Sequence, residues 1–411
     1  MKNRENFVII LILGALCTIS PFSIDMYLPG FPAMAKDLGV DISQIQLSLT
    51  SYLVGIAIGQ LFYGPLLDKY GRKKPLIIGM LIYIVSSIFC AYASSVDSLI
   101  LMRFLQAVGG CVGMVAAQAL VRDIFPINKT AQVLALLTLV IAVSPMIAPT
   151  VGGYMSAHFH WHAIFIVLAA ITAVILVAAI FLLPNGAAPE SNLSLRPMKV
   201  ISNYRSVLDN RQFLTYMLAG GIAGAAPFAY IAGSANVFMN IYQVSEQTYG
   251  LIFGVLAFAM IGSTQLNHYL LRKFTSKQII QFSLWYQTIT GLVLVAGLWL
   301  NLFNVYGLVF TMFIFLTAHG LNQPNAAALS LAPFAKSAGS ASALLGSMRM
   351  AMGGVVSATV SFIHNGTALP MVSIMALCAL GGLLTIMVDK RIPHNKRVPS
   401  NSLNKKIAIS T

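Results

Sequence analysis

Gly64-Pro65-Leu66-Leu67-Asp68-Lys69-Tyr70-Gly71-Arg72-Lys73-Lys74-Pro75 joins two long apolar runs, and that junction decides the fold class. A basic turn carrying one acid between two runs of membrane-spanning length belongs in a polytopic membrane protein. Gly64 and Gly71 would permit a sharp reversal of the chain. Lys69, Arg72, Lys73 and Lys74 would hold the turn on the cytoplasmic side, and Asp68 can pair with a base or a helix N-terminus. A merely solvated basic turn is the alternative.

Composition agrees with the membrane reading. Hydrophobic residues make up 58% of the 411 and charged residues only 9%, with a mean hydropathy of +0.81. Such a chain is too apolar for a soluble globule and has no room for a large soluble domain. Runs of about 20 apolar residues fall at Phe7 to Leu28, Ile45 to Leu67, Leu76 to Ala93, Leu99 to Val121, Ala131 to Tyr154 and His162 to Leu183. Six more follow at Phe213 to Val237, Tyr249 to Leu271, Ile279 to Leu300, Val305 to Ala326, Gly339 to Ile363 and Leu369 to Val388. The first run is too long for a signal-peptide core and lacks a convincing cleavage site, so it reads as a retained span.

The expectation is an all-α membrane protein: twelve transmembrane helices in two pseudo-symmetric six-helix halves, since backbone groups in lipid must bond internally. Residues 1–183 would form the first half, 184–211 a cytoplasmic linker, 212–390 the second half, and 391–411 a basic tail. A weak internal echo supports the pseudo-symmetry. Tyr269-Leu270-Leu271-Arg272-Lys273-Phe274 holds in the second half the place of the Gly64 to Pro75 turn. Pro21, Pro145, Pro149, Pro227 and Pro324 are candidate kinks.

The net charge of +14 invites a nucleic-acid reading, but its placement argues against one. With both termini cytoplasmic, nearly all bases outside the spans fall on one side, and only Lys36 faces outward. The charge then orients the protein and can touch anionic lipid. The four cysteines lie inside apolar runs without paired spacing, so neither disulfides nor a metal site is expected. His158, His160 and His162 have no acid or cysteine near them in sequence and read as interfacial residues beside Trp161.

Of the eleven acids, Asp25 alone lies inside an apolar run. A carboxylate there costs about 2.5 to 3.5 kcal/mol on insertion scales, and such residues usually serve ions, protons or substrate. Low dielectric favours its neutral form, which would let it load and unload a proton. Hydration close to an outer boundary near Pro29 is the alternative. Arg103 sits at matching depth in the fourth run, both roughly 6 to 8 Å below the outer surface at 1.5 Å per residue. The two could pair, with Gln106 on the same helix face, or Arg103 could snorkel to the interface.

Arg349 falls near mid-depth of the eleventh run, where a lone arginine is expensive. A substrate anion, a cluster of carbonyls or Asp25 could satisfy it; packing against a helix end is the alternative. His319, Asn322 and Gln323 share one face of the tenth run, to line a cavity or to bond a neighbouring helix. Tyr230 and Asn236, and Gln265, Asn267 and His268, are weaker candidates of the same kind.

The Gly64 to Pro75 turn, between the second and third of twelve spans, resembles the signature loop of the major facilitator superfamily. Four further strings narrow that likeness. Asp25-Met26-Tyr27-Leu28-Pro29, Arg103 to Gly110 (RFLQAVGG), Val121-Arg122-Asp123-Ile124-Phe125 and Gly339-Ser340-Ala341-Ser342-Ala343 resemble the Bcr/CflA group of multidrug transporters. The resemblance implies a bacterial inner-membrane proton antiporter that expels small amphipathic drugs by alternating access, driven by the proton gradient and needing no cofactor. It implies Asp25 as proton and substrate acid and Arg103 as buried base. Gly64, Asp68, Gly71 and Arg72 would latch the two halves on the cytoplasmic side. Pro149, Gly152 and Gly153 match the family's antiporter motif, whereas Ala135, Ser144 and Ala148 stand where glycines are usual. Substrate contacts would come from Asp25, Gln106, Tyr230, His319, Asn322, Gln323 and Arg349.

The partners expected are a small-molecule substrate, protons and anionic lipids, with no nucleic acid, around a monomer. A dedicated exporter or importer of a metabolite such as a siderophore or amino acid, anionic cargo included, is the nearest rival. A lipid scramblase or a non-transporting receptor is the rival from another class. No metal-ligand spacing and no Gly-x-Ser-x-Gly nucleophile site points to an enzyme.

Overall fold

Among the described residues twelve helices are long and apolar enough to carry the chain across a membrane and back, and each begins and ends where local chemistry allows. They are α1 (Lys2–Asp25), α2 (Ile42–Tyr70), α3 (Lys73–Ala91), α4 (Val96–Ile124), α5 (Ile127–Phe159) and α6 (His162–Leu182). After the linker come α7 (Arg211–Ala235), α8 (Glu246–Leu270), α9 (Ser276–Trp299), α10 (Val305–Leu331), α11 (Ala338–Phe362) and α12 (Leu369–Arg391). This computed structural model describes residues 2–189, 197–334 and 338–391. Lys336 and nearly all of the basic tail therefore lie outside the described residues.

Side-chain caps mark several starts. Ser95 and Ser98 form a reciprocal capping box on α4, Thr275 and Gln278 one on α9, and Asn304 accepts from the Gly307 N–H at 2.9 Å. Each satisfies backbone donors that the first helical turn leaves open. Between α2 and α3 the chain reverses at Gly71, whose φ of +79° is costly for any residue with a Cβ. Gly64, expected to share that reversal, instead lies inside α2, which continues through Pro65 to Tyr70.

All twelve are long and apolar enough to cross a membrane. Large apolar side chains such as Phe181, Tyr306, Phe310 and Val174 are exposed on the outer surface of the bundle. In a soluble protein that surface would aggregate; in lipid it is the solvated face.

The packing repeats with a period of six helices. In the first half α1 packs on α5, α2 on α4, α3 on α4, and α3 on α6; in the second half α7 packs on α11, α8 on α10, α9 on α10, and α9 on α12. The same operation relates the two main seams between halves, α2 against α11 and α5 against α8. Such paired seams are what a pseudo-two-fold axis through the bundle produces.

Two features differ from expectation. After α1 the chain does not leave the bundle near Pro29. A short 3-10 turn at Leu28–Gly30 leads into a helix at Phe31–Leu38, tied down where Trp161 Nε1 donates to Asp37 Oδ2 at 3.1 Å. Leu28, Pro29 and Gly30 are buried, so Asp25 lies well inside the protein instead of at a hydrated boundary. The linker also carries a helix, Pro197–Leu208, whose Tyr204 hydroxyl donates to the Leu61 carbonyl of α2 at 3.0 Å and whose Val207 joins a cluster with Phe213 and Leu344. It thus touches both halves. Below, the end of the bundle holding Lys69 to Lys74 is the basic end, and the opposite end is the far end.

Candidate functional site

Arg103 is the largest side chain with no exposed surface. Its guanidinium lies between the rings of Tyr27 and Tyr52, 4.1 Å from each centroid. Nη1 donates to Gln106 Oε1 at 2.5 Å and Nη2 to the Ser23 carbonyl at 2.8 Å. Gln106 Nε2 passes the chain to Ser87 Oγ at 2.6 Å, Ser87 Oγ donates to the Tyr83 carbonyl at 2.7 Å, and Tyr83 shares a 2.5 Å bond with Ser23 Oγ. The ring of bonds closes on α1. It ties α1, α3 and α4 together through charge-assisted and aromatic contacts that are strong in a dry interior. Arg103 and Gln106 therefore brace the first half, and neither snorkels.

The structure does not bring Asp25 and Arg103 together. Arg103 reaches the backbone of Ser23, and no ion pair joins it to Asp25 among the described residues. Because α1 presents residues 23 and 25 on different sides, a helix that gives one to α4 gives the other to the second half. Asp25 is only 3% exposed. Its electrostatic reach extends to Tyr230 of α7 and Tyr249 of α8. Tyr249 shares a 2.8 Å bond with Ser234 Oγ, while the buried Tyr230 hydroxyl has no partner. The carboxyl thus stands at the boundary between halves, within electrostatic reach of a hydroxyl with unused hydrogen-bonding capacity.

The polar face expected on α10 is divided among three neighbours. Asn322 bonds Ser283 and donates to Gln287 Oε1 at 2.6 Å, both on α9. Gln323 donates to the Gly220 carbonyl of α7 at 2.9 Å. These two are interhelical braces, the second of the readings offered for the stripe, and Asn325 adds a third by donating to Asn267 of α8 at 2.6 Å. His319 differs: it is buried, its Nδ1 has no partner, and Arg349 of α11 lies within electrostatic reach. Arg349 makes no ion pair among the described residues, and its Nε also lacks an acceptor.

At the basic end Arg72 donates from Nη1 to Asp68 at 2.5 Å and from Nε to Asp123 Oδ2 at 2.8 Å. Asp123 also accepts from the Ala187 N–H at 2.9 Å. Partial burial opposes the charge on Arg72, yet the bonds to Asp123 and Asp68 hold its pKa above the ordinary arginine value. This cluster joins α2, α4 and the start of the linker within the first half. Among the described residues neither Asp68 nor Arg72 bonds a side chain of the second half, where the expected latch would join. Asp123 is its missing centre; it stood in the quoted Val121 to Phe125 string without being singled out.

The far end is where α5 meets both α1 and α8. A Cβ placed on Gly152 would overlap the Met26 carbonyl oxygen, and one on Gly153 would come within 2.8 Å of the Glu246 carbonyl. On the facing helix a Cβ on Gly250 would lie 3.1 Å from the Pro149 carbonyl. Pro149, Gly152 and Gly153 therefore form a tight seam, one residue from Asp25 along α1. His158, beyond the seam, bonds the Tyr154 carbonyl, and His162 stacks on Trp161 near Asp37.

The family model described as Major Facilitator Superfamily matches residues 13–358. The chain belongs to that superfamily. It is 31% identical over 383 residues to a bicyclomycin resistance protein homolog of Haemophilus influenzae, covering 93% of this chain and 96% of that one. It is 27% identical over 398 residues to multidrug resistance protein D of Escherichia coli, covering 94% and 96%. Among solved structures the D-xylose-proton symporter superposes with a TM-score of 0.72 at 14% identity, over 95% of this chain and 98% of that one. At that identity the likeness shows the fold alone. This member of the superfamily is a membrane transporter and not an enzyme, and its relatives' names agree with the Bcr/CflA-type resemblance.

Proposed function

We propose that this transporter exports small amphipathic compounds, drugs and antibiotics among them, in exchange for protons, by alternating access of its two halves. One observation carries the reading: the single acid of the apolar runs is buried at the boundary between halves, within electrostatic reach of Tyr230 and Tyr249 of the second half. A carboxyl there changes its surroundings whenever the halves rock, so its proton affinity and the halves' separation are linked. Proton uptake from outside and proton loss inside would each favour one arrangement of the halves, so that cargo leaves outward as the proton enters.

The residues 1–183 and 212–390 act as the moving bodies, with Pro149, Gly152 and Gly153 sealing the far end. Asp25 carries the proton, and Arg103 acts on it indirectly by fixing the backbone of α1. The one-sided distribution of bases supports a basic end and both termini on the cytoplasmic side of a bacterial inner membrane, where they would meet anionic lipid. The protein works as a monomer and needs only the proton gradient.

The test is transport in proteoliposomes under an imposed pH gradient. Wild type should move an amphipathic drug against its gradient only when the pH gradient is present. Asp25→Asn should abolish this coupling while inserting normally. Full gradient-driven transport by that variant would overturn the assignment.

A further inference from the structure

Two arginines lie within the apolar spans, and their surroundings are opposite. Arg103 is enclosed without exposed surface, stacked on two rings and bonded on both Nη atoms. Nε lacks an acceptor in both, but among the described residues Arg349, with the same charge at mid-span, has neither a bonded Nη atom nor a ring stack nor a carboxylate within ion-pairing distance. It also keeps part of its surface accessible. A guanidinium held in an apolar bundle without a counter-charge is unfavourable by several kcal/mol, so a residue kept there implies a partner that comes and goes.

The neighbours point the same way. His319, 5% exposed and within electrostatic reach of Arg349, carries a buried Nδ1 without a partner. One helical turn toward the basic end, Gly346 lies against Gln60 of α2, whose buried Oε1 is also unpartnered. Next along α11, Gly353 packs on Phe228 and Met352 on Gly221, which provides apolar surface beside the polar atoms. Asp25, whose charge acts on Tyr230 and Tyr249, is not the counter-ion that Arg349 lacks.

We infer that Arg349, with His319 beside it, is the docking point for an anionic group on the cargo, so that the preferred substrates are amphipathic carboxylates or comparable organic anions. This inference rests on the transport reading of the preceding subsection and specifies its cargo. A planar guanidinium bonds a carboxylate through two parallel N–H donors, which neutral isosteres cannot match. His319 supplies a third polar contact, and the phenyl and thioether groups of Phe228 and Met352 take the apolar body.

Equilibrium binding to the purified full-length protein, with no pH gradient, tests the docking point apart from proton coupling. The probes are naphthalene-1-carboxylate, its carboxamide and the corresponding aminomethyl cation. Wild type should bind the carboxylate at least about tenfold more tightly than the carboxamide, as expected for a charge-assisted bidentate pair. Arg349→Gln should erase that preference without weakening the carboxamide, and Arg349→Lys should restore only part of it. If Arg349→Gln fails to insert, His319→Gln serves as the second variant and should lower carboxylate affinity by several-fold. Equal carboxylate affinity in wild type and Arg349→Gln, or a wild-type preference for the cation, overturns the inference. Loss of gradient-driven transport alone therefore bears on proton exchange, and loss of the binding preference alone bears on Arg349.

Discussion

Arg103 Nη2 and the Ser23 carbonyl oxygen meet at 2.8 Å across the contact of α4 with α1. The bond fixes the backbone two residues before Asp25, and no ion pair joins Arg103 to that carboxyl among the described residues. Bracing and the proposed proton exchange thereby fall to two different residues that a depth argument alone would have paired.

Arg103→Gln should consequently act on stability first. It removes two charge-assisted bonds and two aromatic stacks, and leaves Gln106 Oε1 without its donor. The loss should be about 3 kcal/mol. Thermal unfolding in detergent should show a clearly lowered midpoint, and Arg103→Lys should recover little because an ammonium cannot reproduce the planar fork. An unchanged midpoint with lost transport would make Arg103 a member of the proton path instead.

Asp25→Asn should show the reverse pattern. The side chain makes no ion pair among the described residues, and the amide has nearly the same shape. Stability should stay within about 1 kcal/mol of wild type or rise slightly, since a buried charge is no longer held. Gradient-driven efflux should vanish while exchange of bound cargo at equal pH persists. Tyr230→Phe should be neutral for stability as well, because its hydroxyl has no partner to lose, and should slow coupled efflux if that hydroxyl meets the carboxyl during the cycle.

Much of this architecture was legible in the residues, for a physical reason. Spans in lipid must be long, apolar and helical, so α6 and α12 begin where their runs begin, at His162 and Leu369. The site was less legible because side-chain direction, not depth, decides partnership. Asp25 and Arg103 match in depth, but α1 turns residue 23 toward α4 and residue 25 toward the second half. The i, i+3, i+4 stripe of α10 was visible as polar, yet Asn322 and Gln323 were already claimed by α9 and α7, leaving His319. Nothing local announced Tyr249, Gln60 or the helix at Phe31–Leu38, since each owes its role to contacts distant in sequence.

The cluster at the basic end separates its two acids. Asp123 accepts from Arg72 and from the Ala187 N–H, with its side chain 14% exposed, whereas the Asp68 side chain is 51% exposed. Asp123→Asn should cost about 1 to 2 kcal/mol. Asp68→Asn should cost less than about 0.5 kcal/mol in the conformation described, because water screens an exposed pair. Chemical unfolding of the two variants at low and high salt checks both statements, with Asp68→Asn converging on wild type as salt rises.

Two glycines distinguish a seam from a spacer. In Gly152→Ala the new methyl would overlap the Met26 carbonyl oxygen, forcing α5 away from α1 beside Asp25. Such overpacking costs about 1 to 3 kcal/mol in the conformation that contains it. The far end should then open more readily, and transport should fall about tenfold while the protein still inserts. Gly64→Ala offers the contrast, since a Cβ there meets nothing within 4 Å and the position is interior to α2. It should keep wild-type transport and gain about 0.5 to 1 kcal/mol of helix stability. Measured side by side in proteoliposomes, equal transport by the two variants would show that the α1–α5 contact is not part of the gate. A deficit in Gly64→Ala alone would mean that α2 meets another surface in a second conformation, where the signature turn does join the halves.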